Sequence, residues 1–324
     1  MMRILLALLL IAIIAAGAFE WERANFVLPG PRARHGDETV VLVPAGVGLS
    51  GVSQELADNG VVERPELFQL GVRFRGNTSK LKAGEYAIPS RASMDDIMAI
   101  LIAGKAIQHK FTAAEGLTSD MIFKLLMADP VLIGDAGPES AEGTLLPETY
   151  LFTHGATRSE IVERMKTAQK SLLDRLWATR PANLPLKSED EAVILASIVE
   201  KETAIPEERR HVAAVFENRL RLGMKLQSDP TIIYAITKGY PLSRRILESE
   251  INAMTPYNTY LIPALPAGPI CNPGKDSIAS VFNPEPSRDL YFVANGTGGH
   301  TFSATQAEQD KNVAIWRRIQ SKRR

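Results

Sequence analysis

The sequence predicts an α+β protein in three parts: an apolar N-terminal transmembrane helix, a small mixed module and a larger mixed α+β domain. Three observations carry this. No charged residue occurs between Ile4 and Phe19. From Thr39 onward, short β-rich runs and helix-spaced apolar runs follow one another irregularly. Loops dense in Pro and Gly separate them. With 324 residues, 45% of them hydrophobic, the chain can bury more than one core.

Arg3 precedes the apolar run, and Glu20, Trp21, Glu22 and Arg23 close it. The run is short for a span, but Trp21 suits a membrane interface, so residues 1–23 are expected to be an uncleaved anchor with the rest of the chain outside. Residues 24–36 form a Pro- and Arg-containing linker. Residues 37–105 form a module: a strand at Thr39–Val43, helices over Leu49–Asn59 and Pro65–Phe74, a strand at Gly84–Ile88, and a helix opened by Ser93 and running to Gly104.

Residues 106–324 form the second domain. It opens with a strand near Gln108–Thr112 and a loop, E-G-T-L-L-P-E-T-Y, at Glu142–Tyr150, leading to a helix near Thr157. Ser188 with Glu191 has the capping-box pattern and starts another helix. Pro206 opens a helix to Leu222 that Gly223 stops. Asp229 is placed to cap the helix beginning at Pro230. The run L-P-A-G-P-I-C-N-P-G at Leu265–Gly274 is too rich in Pro and Gly for regular structure and suits a rigid loop. A hairpin, Leu290–Ala294 and a return strand through His300, precedes a final helix.

Composition narrows the function. Lys and Arg number 37, as do Asp and Glu, and the formal net charge is zero, which argues against a nucleic-acid partner. The basic tail, Arg317, Arg318, Lys322, Arg323 and Arg324, reads as a solvated helix end. One cysteine, Cys271, excludes an internal disulfide, and the five histidines show no metal-ligand spacing, so neither metal nor cofactor is expected. His300 is the histidine best placed for function, although a residue at a hairpin edge has the same look.

Glu200 stands out. It ends the run A-V-I-L-A-S-I-V-E, and a carboxyl forced against apolar surface holds its proton at neutral pH, as a general acid must. At ~100° per residue, Glu200 shares a stripe with Val193, Ala196 and Ser197, whereas Glu202 shares one with Leu195 and Ile198. Both cannot enter one small pocket. A solvated helix end is the plain alternative for both, as turn and cap are for Gln227 and Asp229.

The anchor, V-P-A-G ahead of the module, E-G-T-L-L-P-E-T-Y, A-S-I-V-E-K-E-T, N-R-L-R-L-G-M-K-L-Q-S-D-P-T, Y-N-T-Y and L-P-A-G-P-I-C-N-P-G occur in order, and together they resemble the YceG-like family of endolytic murein transglycosylases. The resemblance covers almost the whole chain. It implies a LysM-like module over 37–105 and a catalytic domain over 106–324 that cuts peptidoglycan between N-acetylmuramic acid and N-acetylglucosamine, leaving a 1,6-anhydro end. It implies Glu200 as acid/base, with Glu202, Asn218, Gln227, Asp229, Asn258, Thr259, Tyr260 and Asn272 lining the glycan cleft. The implied partners are glycan strands, the cell inner membrane and peptidoglycan synthases. Ala264 and Ala267 replace a Gly and a Pro of the family's loop, and Gln309 stands where a His is common. A glycoside hydrolase on the same substrate, with Asp229 as second carboxylate, and a wall-binding scaffold are the alternatives.

Overall fold

The computed structural model describes residues 2–322, with the side chains of residues 2–7, 22 and 23 outside that description. Helix α1 spans Met2–Val27, four residues beyond the expected end of the anchor. Leu9, Ile11, Ile14 and Trp21 are more than half exposed. Among the described residues no helix is long and apolar enough to cross a membrane, so the expected spanning helix is not found there. Part of that expectation falls on side chains outside the description.

The chain divides into two compact units, residues 1–109 with 151–155, and residues 110–150 with 156–324. The first holds strand β1 (Glu38–Val43), α2 (Leu49–Asp58), α3 (Pro65–Phe74), β2 (Gly84–Pro89) and α4 (Met94–Ala103). β1 and β2 pair antiparallel, with Thr39 opposite Ile88 and Val43 opposite Gly84. Alternation decides the faces: Val41, Val43, Tyr86 and Ile88 are buried, whereas Val40 and Leu42 face out. Pro65 opens α3 at a position where its missing N–H costs nothing. Ser93 and Asp96 close a capping box on α4, and Gly104 ends it in the left-handed conformation. Phe26, from the end of α1, is fully buried and stacks on Phe68, so the first residues of the expected linker belong to this core.

Strands β3 (His109–Thr112) and β4 (Thr149–Phe152) pair with each other, and the division between the units falls within them. β4 lies where a loop was expected. The second unit continues with α5 (Ser119–Ala128), α6 (Arg158–Ala178), α7 (Glu189–Glu202), a 3-10 turn (Pro206–Glu208), α8 (Arg209–Arg221), α9 (Asp229–Thr237), α10 (Glu248–Ile251), α11 (Lys275–Phe282), the hairpin β5 (Tyr291–Ala294) and β6 (His300–Ser303), and α12 (Gln306–Lys322).

Helix α7 is the axis of this unit. Ser188 caps it through the Glu191 N–H, and three acidic residues in its first turn complement the helix dipole. The Glu191 carboxylate accepts from the Lys187 N–H instead of closing the reciprocal box. Ala192, Leu195, Ala196, Ile198 and Val199 are fully buried and pack with Val212, Phe216, Ile278 and Val281 from α8 and α11. Burying each large aliphatic chain is worth about 1.5–3 kcal/mol, enough to hold the last turn of α7 rigid against its neighbours.

Candidate active site

The two carboxylates at the end of α7 meet different surroundings, as their separation around the helix requires. Glu200 is only 7% exposed. Its Oε2 accepts from the Gly274 N–H at 2.9 Å, and its Oε1 lies 3.8 Å from an Arg209 nitrogen. Arg209 also reaches Glu115 at 3.2 Å and Asp276 at 3.6 Å. A backbone N–H and a guanidinium both suit an ionised carboxylate. Gly274 is needed for this approach, since a side chain at that position would collide with the Glu115 carboxylate. Burial and the neighbouring Glu200 charge push Glu115 above the usual carboxylate range. Glu200 is thus a nearly buried carboxyl, as its sequence context suggests, with a backbone N–H and an arginine beside it.

Glu202 has the character expected of Glu200. Burial pushes its carboxyl up to about 7, against a smaller opposing contribution from the Ser228 hydroxyl, which donates to Oε1 at 2.5 Å. Asp229, which accepts from the Tyr260 hydroxyl at 2.6 Å, raises it further, and His300 and Arg219 act in the opposite sense. A carboxyl that titrates near neutrality can both give and take a proton at working pH.

The loop before α9 builds this site. The Gln227 N–H donates to the Thr259 carbonyl, and the Ser228 N–H to Thr259 Oγ1. Gln227 is held at φ +51°, a left-handed conformation that a non-glycine residue adopts only when its surroundings impose it. Its side chain is exposed and makes no hydrogen bond among the described residues. Asp229 is exposed as well, and Ser228, not Asp229, occupies the N-cap position of α9. The expected cap is therefore displaced: Asp229 sits in the first turn and is occupied by Tyr260. Burial, followed by Asp229, pushes the Tyr260 hydroxyl far above its usual range.

Four of the other expected cleft residues serve the framework. Asn258 is 1% exposed, and its amide donates to the Ile251 and Ala253 carbonyls while its Oδ1 accepts from the Tyr260 N–H. Thr259 and Asn272 are fully buried. Asn272 accepts from the Leu145 N–H and donates to Leu117 O, Ser119 Oγ and Glu142 Oε1. Asn218 donates to the Ser287 and Asp289 carbonyls, holding the segment before β5. The polar groups of Asn218, Asn258 and Asn272 are engaged by bonds inside the protein. Glu202, Asp229 and Tyr260 come together, with Ser228 between α9 and α7.

Sequence reasoning missed Ser228, Arg219 and Glu208. Arg219 is 7% exposed and donates to the Leu226 and Leu290 carbonyls, fixing the loop against β5. Glu208 bonds Thr203 and His300. An acidic residue in a helix's first turn looks like dipole compensation in a sequence, so nothing marked it.

The YceG-like family model matches residues 41–315. A protein of Bacillus subtilis (strain 168) named endolytic murein transglycosylase is 27% identical, the match covering 92% of this chain and 90% of that protein. One of the same name from Streptococcus pneumoniae serotype 2 is 28% identical over 84% of this chain, which spans only 57% of its length. The crystal structure of a YceG-like protein from Listeria monocytogenes superposes with a TM-score of 0.51 at 29% identity, covering 86% of this chain and 99% of that one. A family model that matches residues 41–315, most of the chain, makes this chain a member of the YceG-like family.

Proposed function

We propose that this protein is an endolytic murein lytic transglycosylase, anchored by its N-terminal helix, in which Glu202 is the acid and base. The single observation that carries the assignment within the site is the Glu202 carboxyl at the last turn of α7, held by the Ser228 hydroxyl beside the Asp229–Tyr260 pair, where burial pushes it up. The names of the relatives support the substrate and the reaction. Protonated Glu202 donates to the oxygen that links N-acetylmuramic acid to N-acetylglucosamine, and the C1–O bond breaks as positive charge builds at C1. Nearby dipoles, including the exposed Gln227 amide and Asp229, face that charge. The C6 hydroxyl of the muramic acid then closes on C1 and gives its proton to the Glu202 carboxylate, which restores the acid and leaves a 1,6-anhydro end.

The β–α–α–β order of the first unit supports a LysM-like glycan-holding role for it. The apolar surface all round α1 over Leu8–Phe19 supports membrane attachment on the cell inner membrane, with the second unit outside, where nascent strands and their synthases lie. Cleavage inside such strands would end their elongation.

The test is mass spectrometry of products from purified murein. Anhydro ends formed by the wild type and absent with Glu202→Gln support the reading. Reducing ends in their place would make the protein a hydrolase, and no cleavage by folded wild type would leave a wall-binding scaffold.

A further inference from the structure

Helix α8 begins with two arginines beside a cavity. The cavity lies within the second unit and measures about 640 Å³, a size that suits a small ligand or a short stretch of peptide. Leu176, Pro181, Pro206 and Phe282 give it an apolar side, and Arg209, Arg210 and Asp276 line it from the first turns of α8 and α11. Glu208, at the N-cap position of α8, makes no capping bond and is engaged by His300, so its carboxylate does not meet the first N–H groups of the helix.

Arg209 is only 8% exposed, yet its guanidinium is poorly satisfied. It donates one hydrogen bond, to Glu115 at 3.2 Å, and its buried Nε–H bonds nothing among the described residues. Glu200 at 3.8 Å and Asp276 at 3.6 Å stand beyond hydrogen-bond reach. A desolvated guanidinium with unmet donors favours an incoming acceptor. Arg210 is held differently: it donates to the Asn283 carbonyl at 2.7 Å and to Asn283 Oδ1 at 3.3 Å. Both partners are neutral, so the side chain is fixed in place while its charge has no acidic partner among the described residues. The lining therefore carries two arginines against a single aspartate, whose side chain is 61% exposed and screened by water.

We propose that this cavity is a subsite for the peptide borne by the murein strand, in which Arg209 and Arg210 take a peptide carboxylate and the apolar side takes aliphatic side chains. The inference rests on the transglycosylase reading, but not on which carboxyl of α7 is the acid. Each muramic acid carries its peptide on the lactyl ether at C3, so the peptide cannot lie far from a sugar held at the end of α7. Arg209 joins the two places, because it lines the cavity and stands beside Glu200 in that last turn. Its planar fork of N–H groups matches a carboxylate, and a bare sugar offers no such group. The subsite thus selects strands that still carry acidic peptides over strands stripped of them.

Full-length protein would be assayed for anhydro-ended products on murein strands with intact peptides, on the same strands with the peptide carboxylates converted to amides, and on strands freed of peptide by an amidase. Folding is checked by thermal melting. The expected kcat/KM is about tenfold higher on intact strands than on either of the others, the effect of one charge-assisted contact, and the difference lies in KM. Arg210→Gln is expected to bring the substrates within about threefold of one another, whereas Arg210→Lys, which keeps the charge, retains most of the preference. An Arg210→Gln protein with undiminished preference overturns the inference. So does a wild-type preference for intact over stripped strands that survives amidation, because the carboxylate is then not what is read. Anhydro ends formed with equal KM from all the preparations sink the subsite alone, whereas no cleavage of any preparation by folded wild type sinks the transglycosylase reading and the subsite with it.

Discussion

Ser228 Oγ stands 2.5 Å from Glu202 Oε1, joining the residue before α9 to the last residue of α7. The same Ser228 is fixed through its N–H to Thr259, so this carboxyl is positioned by a loop that is itself clamped by a buried threonine. Rigidity around a carboxyl that titrates near neutrality defines where the reacting bond must lie, and variants at this helix end follow from it.

Glu202→Gln should lower turnover by at least about a thousandfold, because the amide keeps the shape but neither gives nor takes the proton. Glu200→Gln should retain turnover within about tenfold and lose about 1–2 kcal/mol of stability, since Arg209 keeps Glu115 while its contact with the Glu200 carboxyl is weakened. Counting anhydro ends per folded molecule, alongside thermal melting, checks both. Inactive but stable Glu200→Gln with active Glu202→Gln would return the acid to Glu200.

Stability should fall as pH rises from about 4.5 to about 7. Burial raises both Glu202 and Glu217 to about 7, so over that window the folded chain keeps protons that the unfolded chain has released, and each proton favours the fold less as pH climbs. The loss is of the order of 3 kcal/mol per group and is complete above about 7. Urea midpoints at three pH values would show the slope. Glu202→Gln should reduce that slope, and a slope unchanged in this variant would mean that Glu202 titrates normally.

Asn272→Ala should cost about 2–4 kcal/mol, because the Leu145 N–H and the Glu142 carboxylate lose a buried partner. Turnover per folded molecule should stay within a few fold. A sharp drop in kcat at unchanged melting temperature would instead place Asn272 against the sugar.

Gln227→Gly should stabilise by up to about 1 kcal/mol, since glycine takes φ +51° without the Cβ penalty. It should also raise KM, because the exposed amide is gone. Gln227→Val should destabilise by at least as much as glycine gains. Equal melting temperatures for the two variants would show that the left-handed turn carries no strain.

Local signals were legible. Pro65, Ser93 with Gly104, Thr157 and Ser188 each mark a helix end through chemistry contained within one turn, and the structure places helix ends there. The opposition of Glu200 and Glu202 around α7 was also readable, because it follows from helical period alone. The partners that each face would meet were not. The apolar run before Glu200 implied a desolvated carboxyl, and its side chain is nearly buried, but the Gly274 N–H and Arg209 beside it arrive from other segments, as Ser228 arrives at Glu202 by folding. β4 was missed because Pro147 and Glu148 precede a strand of only four residues. Asp229 was misread as a cap because a cap and a first-turn acid differ by one position.

The Asn272 amide joins Leu117, Ser119, Glu142 and Leu145, partners made well over a hundred residues earlier in the chain. The Ser197 hydroxyl likewise waits for the Ile270 N–H. While the polypeptide emerges from its N-terminus, the segment that will wall the helix end can form its local turns but has no lock until the Pro- and Gly-rich loop arrives. Assembly of the second unit is thus a late event governed by long-range closure, which slows folding and leaves the apolar sides of α7 exposed in the meantime. A nascent chain stopped before residue 270 should be protease-sensitive over 110–150 and become resistant once the loop has been made.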